Sequence, residues 1–389
     1  MQDLIKFEFY KIASRKNIIF LLILPVILNF IYLRNTYSDT ETDAINYKNG
    51  RNLLYEEVEG SITHETFDFL NKRFIELSST TENGRGDAKT ISNFETYTGY
   101  VFGDFMLFSQ LHKEYVSAIE YENKIDNKVE ALKQAKELFS DKREQNKINK
   151  MLTMYQHREI NVFYDYQGVE ILLYNNFSTF LCLLILIFIV TQVICSEYES
   201  GNYKILYATK IGRTKVMKAK LITVISFVFI VYSMLSIQDF WFLQINNGVH
   251  GLLSPLFAIH KLSMSFFSAS ILVAYGYTLF LRLLGLLFIS ILVMIAAMII
   301  KKSYILIVGT LLSLFLLFSN FHLSLFNPIT YLQPIKMLGI VDFVFIFDYP
   351  ILKYQYSIGV LILSFCISLG FYFIVCKNSN KKRGKLLWN

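Results

Sequence analysis

Apolar runs close to twenty residues long recur along this chain, and no other feature limits its fold as much. Inside a bilayer such a run finds no water for its backbone, so it must form a helix. With 53% hydrophobic and 16% aromatic residues, the chain belongs among membrane proteins rather than soluble domains. The expected fold class is an all-α polytopic membrane protein with six transmembrane helices. They are placed at about residues 18–33, 171–196, 219–240, 283–300, 303–319 and 355–376.

The net charge of +7 misleads until it is divided along the chain. Residues 34–170 carry 17 Lys/Arg against 24 Asp/Glu. The stretch 197–220 alone holds six Lys/Arg (Lys204, Lys210, Arg213, Lys215, Lys218 and Lys220) against Glu197 and Glu199. Lys and Arg near span ends resist translocation, so this loop is expected in the cytoplasm together with both termini. Those three pieces and the short turn at Lys301 and Lys302 hold 17 basic residues and only Asp3, Glu8, Glu197 and Glu199 as acids. That basicity faces lipid headgroups, and no nucleic-acid partner is needed to explain it.

Residues 1–17 put Ile5, Phe9, Ile12 and Ala13 on one helical face and Asp3, Lys11, Ser14 and Arg15 opposite, as in a helix lying in the headgroup plane. A signal-peptide reading lacks a small-residue cleavage site. Pro25 should kink or loosen span 1, and sixteen residues is short for a crossing, so the preceding helix is expected to complete it.

Residues 34–170 form a large, mainly helical extracytoplasmic domain. From Leu111 to Ile160 there is no Pro or Gly, and Tyr115, Ala118, Ile125, Val129, Leu132 and Phe139 recur at heptad-like spacing. Glu122 and Lys136 interrupt the seam, which favours a helical hairpin turning near Ser140 and Asp141 over a long coiled coil. Upstream, Phe67, Leu70, Phe74 and Ile75 continue an apolar pattern, and the tripeptide Arg85-Gly86-Asp87 reads as exposed loop.

In span 2 the polar start Tyr174-Asn175-Asn176-Phe177-Ser178 either lines a wet or protein-filled pathway or sits in the outer headgroup zone, the latter being favoured. Trp241 suits an interfacial anchor at the end of span 3. The apolar stretch 262–281 is either a seventh crossing that turns tightly at Arg282 or an outer-leaflet helix feeding span 4. The charge rule favours the second. Residues 320–354, with Pro328, Pro334 and Pro350 among aromatics, are too broken to cross and too apolar for a solvated loop. All four cysteines lie in or at the ends of apolar runs, so the extracytoplasmic domain must hold its shape without disulfides. No metal-ligand spacing is present.

The stretch 197–220 resembles the first cytoplasmic loop of ABC-2-type ABC transporter permeases, with Glu197, Glu199, Gly201, Leu206, Arg213 and Lys220 at matching positions. Asn202 stands where that family has Thr, and Lys210 where it has Pro. The resemblance implies that this loop is a coupling helix docking on a separate cytoplasmic ATP-binding subunit. It further implies that residues 1–17 are an elbow helix and that 320–354 is a re-entrant outer segment. The chain would then be a half-transporter pairing with a second permease copy in a bacterial cell membrane. The domains become 1–33 (elbow and span 1), 34–170 (extracytoplasmic) and 171–389 (spans 2–6).

The chain has no Gly-x-x-x-x-Gly-Lys-Ser/Thr segment, so no cofactor is assigned to it, and ATP and Mg would act through the partner subunit. No catalytic residue is singled out. An insertion of this size after span 1 resembles permeases for peptides, antibiotic resistance and sodium extrusion. The absence of a deep acidic residue favours export of, or resistance to, an amphipathic compound such as an antimicrobial peptide over sodium efflux. Here Asp239 is taken as too near the outer surface to count. A non-transporting receptor with an external ligand-binding domain is the alternative from another class.

Overall fold

The computed structural model describes residues 2–14, 16–37, 42–82, 96–156, 158–203, 212–319, 327–339 and 341–384. The Arg85-Gly86-Asp87 loop falls outside them. Five helices are long and apolar enough to cross a membrane, over Phe20–Tyr37, Gln167–Glu199, Lys215–Asn246, Ile271–Ile300 and Lys353–Lys377, and a shorter apolar helix covers Ser303–Leu317. This is the make-up of a multi-pass membrane protein. The fifth expected span, 303–319, corresponds to the short helix, which over Ser303–Ser319 has 17 residues and reaches about 25 Å at 1.5 Å per residue.

The chain opens with α1 (Gln2–Ala13) and α2 (Lys16–Tyr37). The apolar face of α1 is not free for lipid, which corrects the expected orientation. Phe9 stacks on Phe227 at 4.9 Å and Ile12 is buried against the bundle, while Phe7 and Tyr10 take the exposed side. Span 1 gains its length at the other end, from residues 34–37, rather than from α1. Pro25 sits inside α2, and next to it Gln238 donates to the Val26 carbonyl at 2.9 Å.

The insertion domain holds α3 (Thr42–Val58), α4 (His64–Glu82), α5 (Val101–Ile119), α6 (Tyr121–Leu138) and α7 (Lys142–Tyr155). Leu54, Leu70, Leu77, Phe108, Leu111 and Tyr115 form its core. Ile75, expected inside, is exposed, and Leu77 takes its place. Strands β1 (Gly60–Ser61) and β2 (Val162–Phe163) pair antiparallel. The helical hairpin turns where expected, with Asp141 capping α7 by accepting from the Arg143 N–H. The domain does not close on itself at residue 170, however. Tyr121, Ile125 and Tyr155 share a core with Phe257, Phe266 and Leu352, from segments far along the chain.

Span 2 is two helices, α8 (Gln167–Tyr174) and α9 (Phe177–Glu199), broken at Asn175 and Asn176. Asn175 Oδ1 accepts from Phe177 N, and Asn176 Nδ2 donates to the Tyr174 carbonyl, so side chains replace the missing helical bonds. At its start α8 meets the turn after the next span: a Cβ on Gly168 would fall 1.8 Å from the Gly248 carbonyl, so only glycine fits. Then come α10 (Gly212–Asn246), α11 (Ile271–Ile300) and α12 (Ser303–Ser319).

Helix α11 settles the stretch 262–281. Residues 271–281 are the first third of one continuous 30-residue helix, with no turn at Arg282, so there is neither a seventh crossing nor a separate outer-leaflet helix. At about 45 Å, α11 matches a bilayer including its headgroups.

The broken segment has short helical turns at Pro328–Leu332 and at α13 (Pro334–Leu338), packed on α11 with Ile329, Tyr331, Ile335 and Leu338 buried. Its second half is a β-hairpin, β3 (Phe343–Ile346) with β4 (Tyr349–Leu352), so the fold is mainly but not wholly helical. Helix α14 (Lys353–Gly384) completes the described chain. The main apolar cluster of the spans is drawn chiefly from α9, α10 and α11.

Candidate functional site at the root of the basic loop

The basic loop leaves α9 and re-enters at α10, and both of its roots are fixed by charge. Glu197 is the third residue from the end of α9, and Lys220 lies in the third turn of α10; both side chains are almost wholly buried. The Lys220 ammonium sits 2.6 Å from Glu197 Oε2 and donates to the Val193 carbonyl at 2.6 Å. The other Glu197 oxygen accepts from Lys11 of α1, whose ammonium also lies 3.9 Å from the buried Glu8. Two acids and two lysines from three helices thus balance one another where burial would otherwise be costly. Burial pushes the Glu8 carboxyl above its ordinary value, with Lys220 and Lys11 pulling it back down.

Glu199, two residues on, belongs to a different contact. It accepts from both the N–H (2.7 Å) and the hydroxyl of Ser303, at the first residue of α12. A carboxylate there satisfies an orphan donor and complements the helix dipole. Beside it Lys301 ends α11 in the left-handed conformation (φ 62°), with its ammonium 5.7 Å from the Tyr198 ring centroid. Gly201 has φ +74°, a left-handed turn just past the end of α9 that any L side chain would strain. Of the six residues singled out from sequence, Glu197, Glu199, Gly201 and Lys220 therefore gather at the basic end of the bundle. Leu206 lies outside the described residues, and Arg213 stands in the first turn of α10 with its side chain outside the description. Lys220 is turned inward onto Glu197, with its side chain almost wholly buried.

Sequence reasoning missed a second polar cluster, towards the opposite end of the spans. Asp239 is buried within the protein, and Asn29 of α2 donates to it at 2.7 Å while also reaching Gln238 at 3.2 Å. Arg282, buried in α11, donates to the Leu173 carbonyl (2.9 Å) and to Asn176 Oδ1 (3.0 Å), so a guanidinium clasps the break between α8 and α9. The polar start of span 2 accordingly packs against protein: Asn175, Ser178 and Thr179 are all buried. The available signal was Arg282 itself, since an Arg within an apolar run implies acceptors on neighbouring helices.

Comparison with known proteins finds no matching family model, no matching curated protein and no matching solved structure.

Proposed function

We propose that the chain is the permease subunit of an ATP-driven ABC exporter, driven by a separate cytoplasmic ATP-binding subunit, with export of or resistance to an amphipathic compound such as an antimicrobial peptide as its role. The observation that carries this reading is the Glu197 node. One carboxylate holds Lys220 at the far root of the basic loop and Lys11 on the N-terminal helix. Force applied to the loop from a partner would move α1, α9 and α10 together, and Glu199 would pass it to α12 through Ser303. A basic loop serving only to satisfy the charge rule needs no such anchorage. The reading further takes the basic end as cytoplasmic, the insertion domain as extracytoplasmic, and a second permease copy as the partner within a bacterial plasma membrane.

Affinity purification of the tagged chain from its native membranes in mild detergent tests the proposal. A stoichiometric ATPase subunit should copurify, and Glu199→Ala and Arg213→Ala should lower its substrate-coupled hydrolysis while membrane insertion stays normal. Recovery of the chain alone, or normal coupling in both variants, refutes it and favours the receptor reading.

Sodium efflux is the second reading, because Asp239 is an acid buried among the span helices. Arg282 weighs against it, since its positive charge acts on Asp239 and would compete with a bound cation. Sodium-stimulated hydrolysis lost in Asp239→Asn would decide for it.

A further inference from the structure

Between the insertion domain and the ends of the span helices away from the basic loop lie two adjoining cavities, of about 320 and about 380 Å³. The buried Arg51–Asp165 ion pair (2.7 Å) lines both. Each cavity falls within the range of small-molecule sites, and a domain boundary is a common place for one. The first is walled partly by aromatic side chains, Tyr121, Phe163 and Phe257 among them, and carries the carboxylates of Glu114, Asp165 and Glu170.

The charges there are unequally matched. Arg51 is committed to Asp165 and Lys261 to Glu170. Glu114 accepts from the Tyr55 hydroxyl (2.9 Å) and the Gln110 amide (2.9 Å), both neutral donors, and no ion pair among the described residues reaches it. A carboxylate hydrogen-bonded only by neutral groups, beside aromatic side chains and within a domain that carries more acids than bases, attracts a cation with apolar surface attached.

We infer that this seam binds a cationic amphipathic ligand, its basic group set against Glu114 and its apolar part among Tyr121, Phe163 and Phe257. The inference rests on the reading of the chain as handling amphipathic compounds, and it places the first contact with them outside the spans. An anionic ligand is disfavoured because both cations in the first cavity are already paired.

The test uses the purified full chain in zwitterionic nanodiscs, without ATP or any partner. The probe is a fluorescent Leu/Lys-repeat peptide, and a Leu/Glu peptide of equal length is the control. Saturable binding above that of empty nanodiscs is expected for the Lys peptide alone. Glu114→Gln keeps the shape and the two donors, and should weaken binding about tenfold. Ala118→Trp, which fills the first cavity, should abolish it. Because residues 34–170 contain no cysteine, Ser117→Cys supplies a unique label there, and the Lys peptide should slow its reaction with a membrane-impermeant maleimide. Equal binding of the two peptides, binding unchanged in both cavity variants, or no protection of Ser117→Cys overturns the inference. Copurification of an ATPase subunit reports on the exporter reading separately. Peptide binding without the subunit sinks that reading alone, and the subunit without peptide binding sinks this one alone.

Discussion

Replacing Lys220 by Met removes one of four mutually neutralising charges from the root of the basic loop. Breaking a buried pair by deleting one partner costs about 3–5 kcal/mol, because the other charge is left stranded. Glu197 keeps Lys11, so Lys220→Met should fall near the lower end, about 3 kcal/mol. The double variant Glu197→Gln/Lys220→Met leaves Lys11 facing Glu8, again neutral overall, and should recover about 2 kcal/mol of that loss, an interaction energy within the range seen for residues in contact. Melting of the three proteins in nanodiscs should rank wild type first, the double variant second and Lys220→Met last.

The pH dependence follows from Glu8. Its raised carboxyl keeps a proton in the native state at pH values where the unfolded chain has lost it, so stability falls as pH rises through the window above the ordinary value of 4.5. Lys220 is among the cations that pull Glu8 down, so its loss widens that window upward. The deficit of Lys220→Met should accordingly grow as pH rises above the ordinary carboxylate range and shrink on acidification. A double variant no better than the single one, or a deficit independent of pH, would refute the reasoning that these four groups act as one balanced node.

Gly201→Val should destabilise by about 1–3 kcal/mol, the cost of a β-branched residue at φ +74°, while Gly201→Asn, which tolerates that region, should cost clearly less; thermal melts of both variants check this. Arg282→Met strands the acceptors at the α8–α9 break, and hydrogen exchange should rise at residues 173–178; Arg282→Lys, a point charge without the planar fork, should restore protection only partly. An engineered Arg213→Cys in intact cells should resist impermeant maleimide from outside and react after permeabilisation; external labelling would invert the assigned orientation.

What could be read from the sequence was mostly local. Hydropathy located five helices long and apolar enough to cross a membrane and a shorter one, and the Ser140-Asp141 turn was visible because Asp141 caps the helix that follows it. What was not legible depends on partners far along the chain. Lys220 looked like one more solvated lysine in a basic loop, because the carboxylate that buries it belongs to the preceding span. Arg282 looked like a break in an apolar run, because its acceptors lie more than a hundred residues upstream. Asp239 was placed by its nearness to the end of span 3, yet the donor from α2 lets it stay inside. The hairpin of β3 and β4 was hidden by Pro350, which occupies a paired position opposite Phe345.

That hairpin restricts how the insertion domain can be exchanged. Arg143 bonds to Asp348, Asn146 to the Asp348 carbonyl and Lys150 to the Pro350 carbonyl, while Tyr121 and Arg158 donate to the carbonyls of Ser263 and Ser265. A graft cut at the two ends of the insertion would transplant half of each contact and strand the other half on the recipient. A workable chimera would have to carry residues 255–266 and 341–352 along with it, so the smallest portable unit of this molecule is three pieces of chain that meet only after folding.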